Sequence, residues 1–139
     1  MRVCSGYDGA GRHAMIVGTG IDIVKNARFE KWLQNERLLE RFFHPDEIEY
    51  VKSKKASGTE HLAARFAAKE AFVKALGTGF VGINLKDICV QNEASGKPVL
   101  KLEDTAQEKL VQSGASAVHL SISHEREYTV AMVVLEKLQ

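Results

Sequence analysis

Apolar residues recur every three or four positions between His61 and Gly77, and this spacing predicts one long helix that packs a stripe against a core. The stripe consists of Leu62, Phe66, Val73 and Leu76. It lacks one repeat, where Lys69 stands. A cation at an apolar position is a local inconsistency of the kind expected at a functional site. Six alanines keep the same helix thin, so another backbone or a ligand could lie close to it.

Glu70 and Lys74 stand one turn apart on this predicted helix, which leaves two interpretations. They could form an exposed ion pair worth roughly 0.2–0.5 kcal/mol, as charged pairs at this spacing often do. Alternatively, both could belong to a site that binds a charged ligand.

A second unusual acid, Asp22, interrupts the β-branched stretch Met15–Val24, which is predicted to be a buried strand. The glycines of this stretch would let another segment approach its backbone. Asp22 could simply cap the helix that follows. Otherwise, a carboxylate between two isoleucines must be paired, hydrogen-bonded or metal-bound.

The segment Val24–Phe43 has a helical pattern, and three basic residues lie near its start: Lys25, Arg28 and Lys31. Such a run is usually a solvated face. It would become a docking surface if the partner were acidic.

The remaining segments predict a small α+β domain from residue 15 to residue 139. Its further elements are a helix over His44–Lys55, an N-cap at Thr59 for the long helix, strands at Asp87–Gln91 and Pro98–Leu102, a helix over Asp104–Gln112, and a hairpin of Ala117–Ser123 with Tyr128–Leu135. His124 lies at the hairpin turn, where a histidine is more often structural than catalytic.

Composition excludes several classes of protein. The 139 residues are 45% hydrophobic and 27% charged with a net charge of +1, which is ordinary for one soluble domain and gives no support for a nucleic-acid surface. No apolar run approaches the roughly 20 residues of a membrane span. Cys4 and Cys89 stand outside any metal-binding spacing, which fits a reducing compartment, and we expect a cytoplasmic protein. Residues 1–14 show no period and are expected to be a disordered leader.

Asp22 and Glu70 are the two acids that interrupt otherwise apolar or alanine-rich elements. If the strand packs on the helix, two carboxylates would face each other, and together with water and substrate phosphates they would suit Mg²⁺. Arg65, Lys69 and Lys74 could then hold phosphate oxygens, as a cation-assisted phosphoryl transfer requires.

Four short motifs occur together in this order: Gly20-Ile-Asp-Ile23, Arg65-Phe-Ala-Ala-Lys-Glu-Ala-Phe-Val-Lys-Ala75, Gly96-Lys-Pro98 and Ser121-Ile-Ser-His124. From Met15 to the end, the chain resembles the holo-[acyl-carrier-protein] synthases, the small phosphopantetheinyl transferases of fatty acid synthesis. The helix that contains Lys-Glu-Ala is the specific part of this resemblance.

The resemblance implies a Mg²⁺-dependent transfer of 4'-phosphopantetheine from coenzyme A to a serine of apo acyl carrier protein, with release of adenosine 3',5'-bisphosphate. Asp22 and Glu70 match the metal ligands, and Lys74 matches a lysine that contacts the coenzyme A phosphates. Arg65 and His124 match positions close to the nucleotide, and Lys69 is assigned there with them.

For the partner, the resemblance implies that Arg28, with Lys25 and Lys31 beside it, grips the acidic recognition helix of the carrier protein. It also implies a homotrimer with coenzyme A in each subunit interface, the terminal hairpin supplying part of the contact. Two other classes stay open on the residues alone: a carrier-protein-binding module without metal, and a Mg²⁺ enzyme that acts on another phosphate ester.

Overall fold

The computed structural model describes residues 6–7 and 13–138. The strands are β1 (Gly6–Tyr7), β2 (His13–Lys25), β3 (Ile88–Asn92), β4 (Pro98–Leu102), β5 (Ala117–His124) and β6 (Tyr128–Lys137). The α-helices are α1 (Glu30–Leu33), α2 (Glu36–Phe42), α3 (Pro45–Ser53), α4 (Gly58–Leu76) and α5 (Asp104–Ser113). Short 3-10 helices cover Asn26–Phe29, Lys55–Ser57 and Leu85–Asp87. The predicted α+β class is therefore confirmed. No helix in this part of the chain has the length and apolar character needed to cross a membrane.

An antiparallel sheet in the order β1-β2-β6-β5 forms one layer, and β3 and β4 form a separate hairpin. The long strand β2 pairs with β6, and Asp22 lies opposite Ala131. Asp22 is thus inside a strand, and the alternative that it caps a helix is wrong because the next helix begins at Asn26.

Helix α4 packs across the inner face of this sheet and is buried on most sides. It ends at Gly77, which has a φ of 73° and takes the left-handed conformation that closes many helices. The predicted N-cap at Thr59 is wrong: the helix begins at Gly58, and Ser57 makes no side-chain capping bond.

Only one face of β2 is buried, which corrects the prediction of a buried strand. Val24 faces the core, whereas Ile21 and Ile23 are 61% and 62% exposed on the outer face of the sheet. The apolar character of both faces therefore has no explanation within the described part of one subunit.

The predicted helix Val24–Phe43 is divided into three pieces. Strand β2 continues to Lys25, and a new helix starts after Asn35, whose side chain accepts a hydrogen bond from Leu38 N at 3.2 Å. This cap satisfies a free N–H at the start of α2 and separates it from α1.

The predicted leader overlaps the fold at its end. Gly6 and Tyr7 pair with Ala14 and His13, so β2 begins two residues before Met15. Residues 1–5 and 8–12 of the predicted leader lie outside the described residues.

Candidate active site

The backbones of β2 and α4 touch at two glycines. A Cβ atom on Gly20 would lie 1.9 Å from Ala71 O, and one on Gly18 would lie 2.1 Å from Ala75 O. Only a strand without side chains at these positions can lie so close to an alanine-lined helix. This contact confirms the close approach predicted from the glycines and alanines, and it brings the next inward residue, Asp22, against the helix.

Asp22 and Lys74 form an ion pair across this contact. Lys74 Nζ donates to Asp22 Oδ1 at 2.9 Å and to Ile21 O at 3.1 Å. The helical ion pair between Glu70 and Lys74 is therefore not the arrangement found, because the lysine reaches to the strand instead.

Glu70 lies beside this pair, and the pKa of its carboxyl reflects the charged groups around it. Burial raises the pKa of the Glu70 carboxyl, and the negative charge of Asp22 raises it further, while Lys74 and Arg28 lower it. Two carboxylates and two cations therefore share one small region on the α4 side of β2. The structure thus brings together Asp22, Glu70 and Lys74, as predicted.

Asp22 and Glu70 fit Mg²⁺ better than they fit a metal ion that takes all of its ligands from protein side chains. Within residues 6–7 and 13–138, no group of three His, Cys, Asp or Glu side chains could enclose a metal ion. Mg²⁺ commonly binds through one or two carboxylates and completes its coordination with water and substrate phosphates. Burial is the main cause of the raised pKa of Glu70, the negative charge of Asp22 adds to it, and a cation close to Glu70 would oppose both effects.

Arg28 lies over an aromatic cluster next to Glu70. Its guanidinium carbon is 5.3 Å, 5.6 Å and 5.2 Å from the ring centres of Phe29, Trp32 and Phe66. A cavity of about 590 Å³ opens here, with Glu70 in its wall. Other lining residues come from α2 and from the segment after α4: Arg41, Phe42, Phe80, Ile83, Asn84 and Leu85.

Sequence reasoning missed this cavity. The signal available in the sequence was Phe80 and its neighbour Val81, two large apolar residues in a loop with several glycines. In the structure they are 47% and 78% exposed. Lys25 and Lys31 are both exposed, but Lys25 borders a different cavity, next to Arg126. They do not line the Arg28 cavity.

Arg65 lies in a second, separate groove. The residue is 3% exposed, its guanidinium is 4.1 Å from the Tyr50 ring centre, and its Nη2 donates to Asn92 Oδ1 at 3.0 Å. Its buried Nε has no hydrogen-bond partner among residues 6–7 and 13–138, and burial lowers the pKa of the Arg65 guanidinium. An unpaired guanidinium N–H is uncommon in a folded interior.

His124 lines the same groove of about 250 Å³, together with Gly96 and Pro98. Two motifs that are more than 20 residues apart in sequence thus meet beside Arg65. The family resemblance implied that Arg65 and His124 both lie close to the nucleotide, and the structure does bring these two residues together.

The two clusters face different sides of α4. Arg65 and Glu70 are five residues apart, which corresponds to about 140° around a helix axis. The groove that holds Arg65 and the cavity that holds Glu70 share no lining residue.

Lys69 is placed in the core and not in either cluster. Its Nζ is fully buried and donates to Glu47 Oε1 at 2.6 Å, to Leu85 O at 2.9 Å and to Ile88 O. All three protons of the ammonium group are therefore used inside the protein. The assignment of Lys69 to coenzyme A is wrong, because the side chain has neither exposure nor a free donor.

Comparison with known proteins decides the family. A family model described as the 4'-phosphopantetheinyl transferase superfamily matches residues 18–133. The chain belongs to the 4'-phosphopantetheinyl transferase superfamily. The matched range includes all four motifs, so the resemblance drawn from them is confirmed at the level of the family.

Within this superfamily, similar proteins are holo-[acyl-carrier-protein] synthases. The chain is 53% identical to the one from Treponema denticola, covering 88% of this chain and 99% of the relative. It is 56% identical to the one from Geobacter sp. (strain M21), covering 88% and 100%.

Solved structures of phosphopantetheinyl transferases share the fold. The holo-[acyl-carrier-protein] synthase from Neisseria meningitidis matches with a TM-score of 0.80 and 36% identity, over 88% of this chain and 100% of that one. The synthase from Bacillus anthracis in complex with coenzyme A (3',5'-ADP) matches with a TM-score of 0.74 and 43% identity, over 88% and 98%. The predicted transferase-like fold is therefore confirmed.

Proposed function

We propose that the protein transfers the 4'-phosphopantetheine group of coenzyme A to a serine of apo acyl carrier protein, in a Mg²⁺-dependent reaction of fatty acid biosynthesis. The observation that carries the proposal is the meeting of Asp22, Glu70 and Lys74 at the contact between β2 and α4. The identity of about one residue in two with named synthases supports the same reaction.

The reaction joins the acceptor serine oxygen to the phosphorus that carries pantetheine and breaks the bond from that phosphorus to the bridging oxygen of the pyrophosphate. The product adenosine 3',5'-bisphosphate leaves with that oxygen. Asp22 and Glu70 would hold Mg²⁺, which when bound supplies positive charge to the phosphate oxygens. Lys74, whose side chain is 53% exposed, can turn from Asp22 toward the leaving phosphate and neutralise it.

Removal of the serine proton needs a base close to the metal site. Glu70 is one candidate, because its carboxylate lies at the contact between β2 and α4, beside Asp22. Asp22, which is paired with Lys74, is the second candidate.

We infer that the enzyme works as a homotrimer in which one subunit supplies the groove with Arg65 and His124 and its neighbour supplies Asp22 and Glu70. The separation of these clusters within one chain supports this arrangement. So does the exposed apolar surface of the sheet, where Ile21 pairs with Met132. An apolar sheet face of this kind is usually covered by another subunit.

The carrier protein is proposed to dock against Arg28, with Lys25 and Lys31 nearby. These side chains are exposed, so they are available to an acidic helix. A cytoplasmic location remains a prediction from the cysteine content.

Intact-protein mass spectrometry of apo acyl carrier protein, incubated with coenzyme A, Mg²⁺ and this protein, tests the reaction. We expect a mass gain of one phosphopantetheine that is lost when EDTA is added. If the folded protein produces no gain on a carrier that another transferase modifies, the proposed function is wrong.

The trimer has a separate test, in which light scattering measures the molar mass of the parent and of an Ile21→Glu/Ile23→Glu variant. We expect a threefold monomer mass for the parent, and a monomeric, inactive variant. A parent that transfers phosphopantetheine as a monomer would contradict the shared site.

A further inference from the structure

A buried polar pair holds the turn between β5 and β6. Thr129 Oγ1 donates to Asn26 Oδ1 at 2.7 Å, and Asn26 Nδ2 donates to Glu125 O at 3.0 Å and to Arg126 O at 3.3 Å. Asn26 N also donates to Glu127 O at 2.8 Å. Asn26 is 4% exposed and Thr129 is fully buried, so this network is shielded from water.

The network joins a fixed element to a segment with few other supports. On one side, Asn26 opens the 3-10 helix that ends in Phe29, a fully buried core residue. On the other side, residues 124–128 are all exposed. Beyond Asn26, the turn has one internal backbone bond, from Glu125 N to Tyr128 O at 2.9 Å. Strand pairing holds the two ends of the segment, His124 with Thr129 and Tyr128 with Lys25. Between these ends, Asn26 holds the carbonyl groups of Glu125, Arg126 and Glu127.

His124 begins this turn and pairs with Thr129 in the register of β5 and β6. His124 lines the groove that also contains Arg65. We propose that Asn26 and Thr129 are positioning residues that fix His124 for binding of coenzyme A. The inference rests on the proposed function, in which this groove receives the nucleotide.

A role in stability alone would not require polar residues here. Two apolar side chains of similar size would fill the same space, and replacing buried polar groups together in this way is often nearly neutral for stability. Hydrogen bonds are directional and apolar contacts are not, so only the polar pair fixes the position of particular carbonyl groups in the turn.

Steady-state kinetics of four variants test the proposal. Thr129→Val removes the donor to Asn26 with little change of shape, and Thr129→Ser keeps it. Asn26→Leu/Thr129→Val replaces the whole pair with apolar side chains. Ser113→Ala is the control for stability, since it removes a partly buried hydrogen bond to Leu110 O at the end of α5, away from the groove.

For Thr129→Val, we expect the KM for coenzyme A to rise about fivefold, the scale of one lost hydrogen bond, while the KM for carrier protein and kcat change less than about twofold. Thr129→Ser should behave like the parent. The apolar double variant should recover thermal stability and keep the raised KM. It also serves as the test if Thr129→Val does not fold.

A double variant with the parent KM for coenzyme A would overturn the proposal, since stability alone would then explain the pair. So would an equal rise of KM in Ser113→Ala. An inactive parent enzyme would instead refute the proposed function, so the two failures can be distinguished.

Discussion

Replacement of Lys69 by methionine should destabilise the protein strongly, because it leaves the carboxylate of Glu47 alone in the core. Both side chains are fully buried and meet at 2.6 Å. Methionine retains much of the length of lysine but no charge. Breaking a buried ion pair from one side costs about 3–5 kcal/mol. The total stability of a domain is about 5–15 kcal/mol, so this loss would be a large part of it.

Two further losses add to the cost. The carbonyl groups of Leu85 and Ile88 both accept from Lys69 and would lose that donor. Glu47 would keep its bonds from His44 N at 3.0 Å and from Val90 N at 3.0 Å, so it would remain fixed in the core and could not turn outward. The core of the variant therefore cannot rearrange to bring the unpaired Glu47 carboxylate into contact with water.

Urea denaturation at pH 7 and a fixed protein concentration measures the effect. With a slope of about 1–3 kcal/mol per molar urea, the midpoint should fall by at least about 1 M. Lys74→Met is the matched control on the same helix: its side chain is 53% exposed, so we expect a change below about 1 kcal/mol together with loss of transfer activity.

A variant that loses binding and not stability would refute this reasoning. If Lys69→Met kept the urea midpoint of the parent but lost affinity for coenzyme A, Lys69 would be a ligand after all. The double variant Glu47→Gln/Lys69→Met gives a second check. It should be more stable than Lys69→Met, because the unpaired charge is gone.

Three further variants probe the active site. Glu70→Gln should lower turnover by about 100-fold or more, if the carboxylate helps to supply several kcal/mol of transition-state stabilisation. In the absence of Mg²⁺, Glu70→Gln should also raise the melting temperature at pH 7. Because the pKa of Glu70 is raised in the folded state, the stability of the parent falls as pH rises from the unfolded-state pKa through the folded-state pKa. Glutamine carries no charge and avoids this loss. A lower melting temperature would contradict this sign. Arg28→Glu should raise the KM for carrier protein about tenfold or more with coenzyme A binding little changed, as charge reversal at a docking surface does; equal carrier affinity would remove the docking hypothesis. Gly20→Ala should abolish activity, since its Cβ would lie 1.9 Å from Ala71 O and push β2 from α4; normal activity would show that the contact does not set the site.

The case of Lys69 shows how far the sequence can predict the site. Helical periodicity identified Lys69 as an exception within the apolar stripe, and this was correct. It could not show whether the exception pointed to a ligand, because the partner Glu47 is 22 residues earlier, on another helix. Pairing between distant elements depends on tertiary packing, which no local pattern contains.

The strand β2 shows the complementary difficulty. Its apolar residues alternate with others that are also apolar, so periodicity predicted burial on both faces. One face does pack on α4, but Ile21 and Ile23 are exposed in the single chain. Local patterns report that a residue is suited to burial, and they cannot distinguish the core of one subunit from the surface between subunits.

The geometry of the proposed metal site follows from a match between two repeat lengths. Inward residues of a strand are two positions apart, or about 6.6 Å, and helix residues four positions apart rise about 6 Å. Gly18 and Gly20 can therefore meet Ala75 and Ala71 on successive turns, as observed. Asp22, the next inward position, then comes level with the turn that precedes Ala71.

That turn carries Glu70, so the two carboxylates are brought together by backbone contact and not by flexible side chains. A larger residue at Gly18 or Gly20 would separate them even though neither glycine touches a ligand. The motifs Gly20-Ile-Asp-Ile23 and Lys69-Glu-Ala71 are thus two halves of one structural unit. This is why sequence patterns that lie about 50 residues apart predict one site.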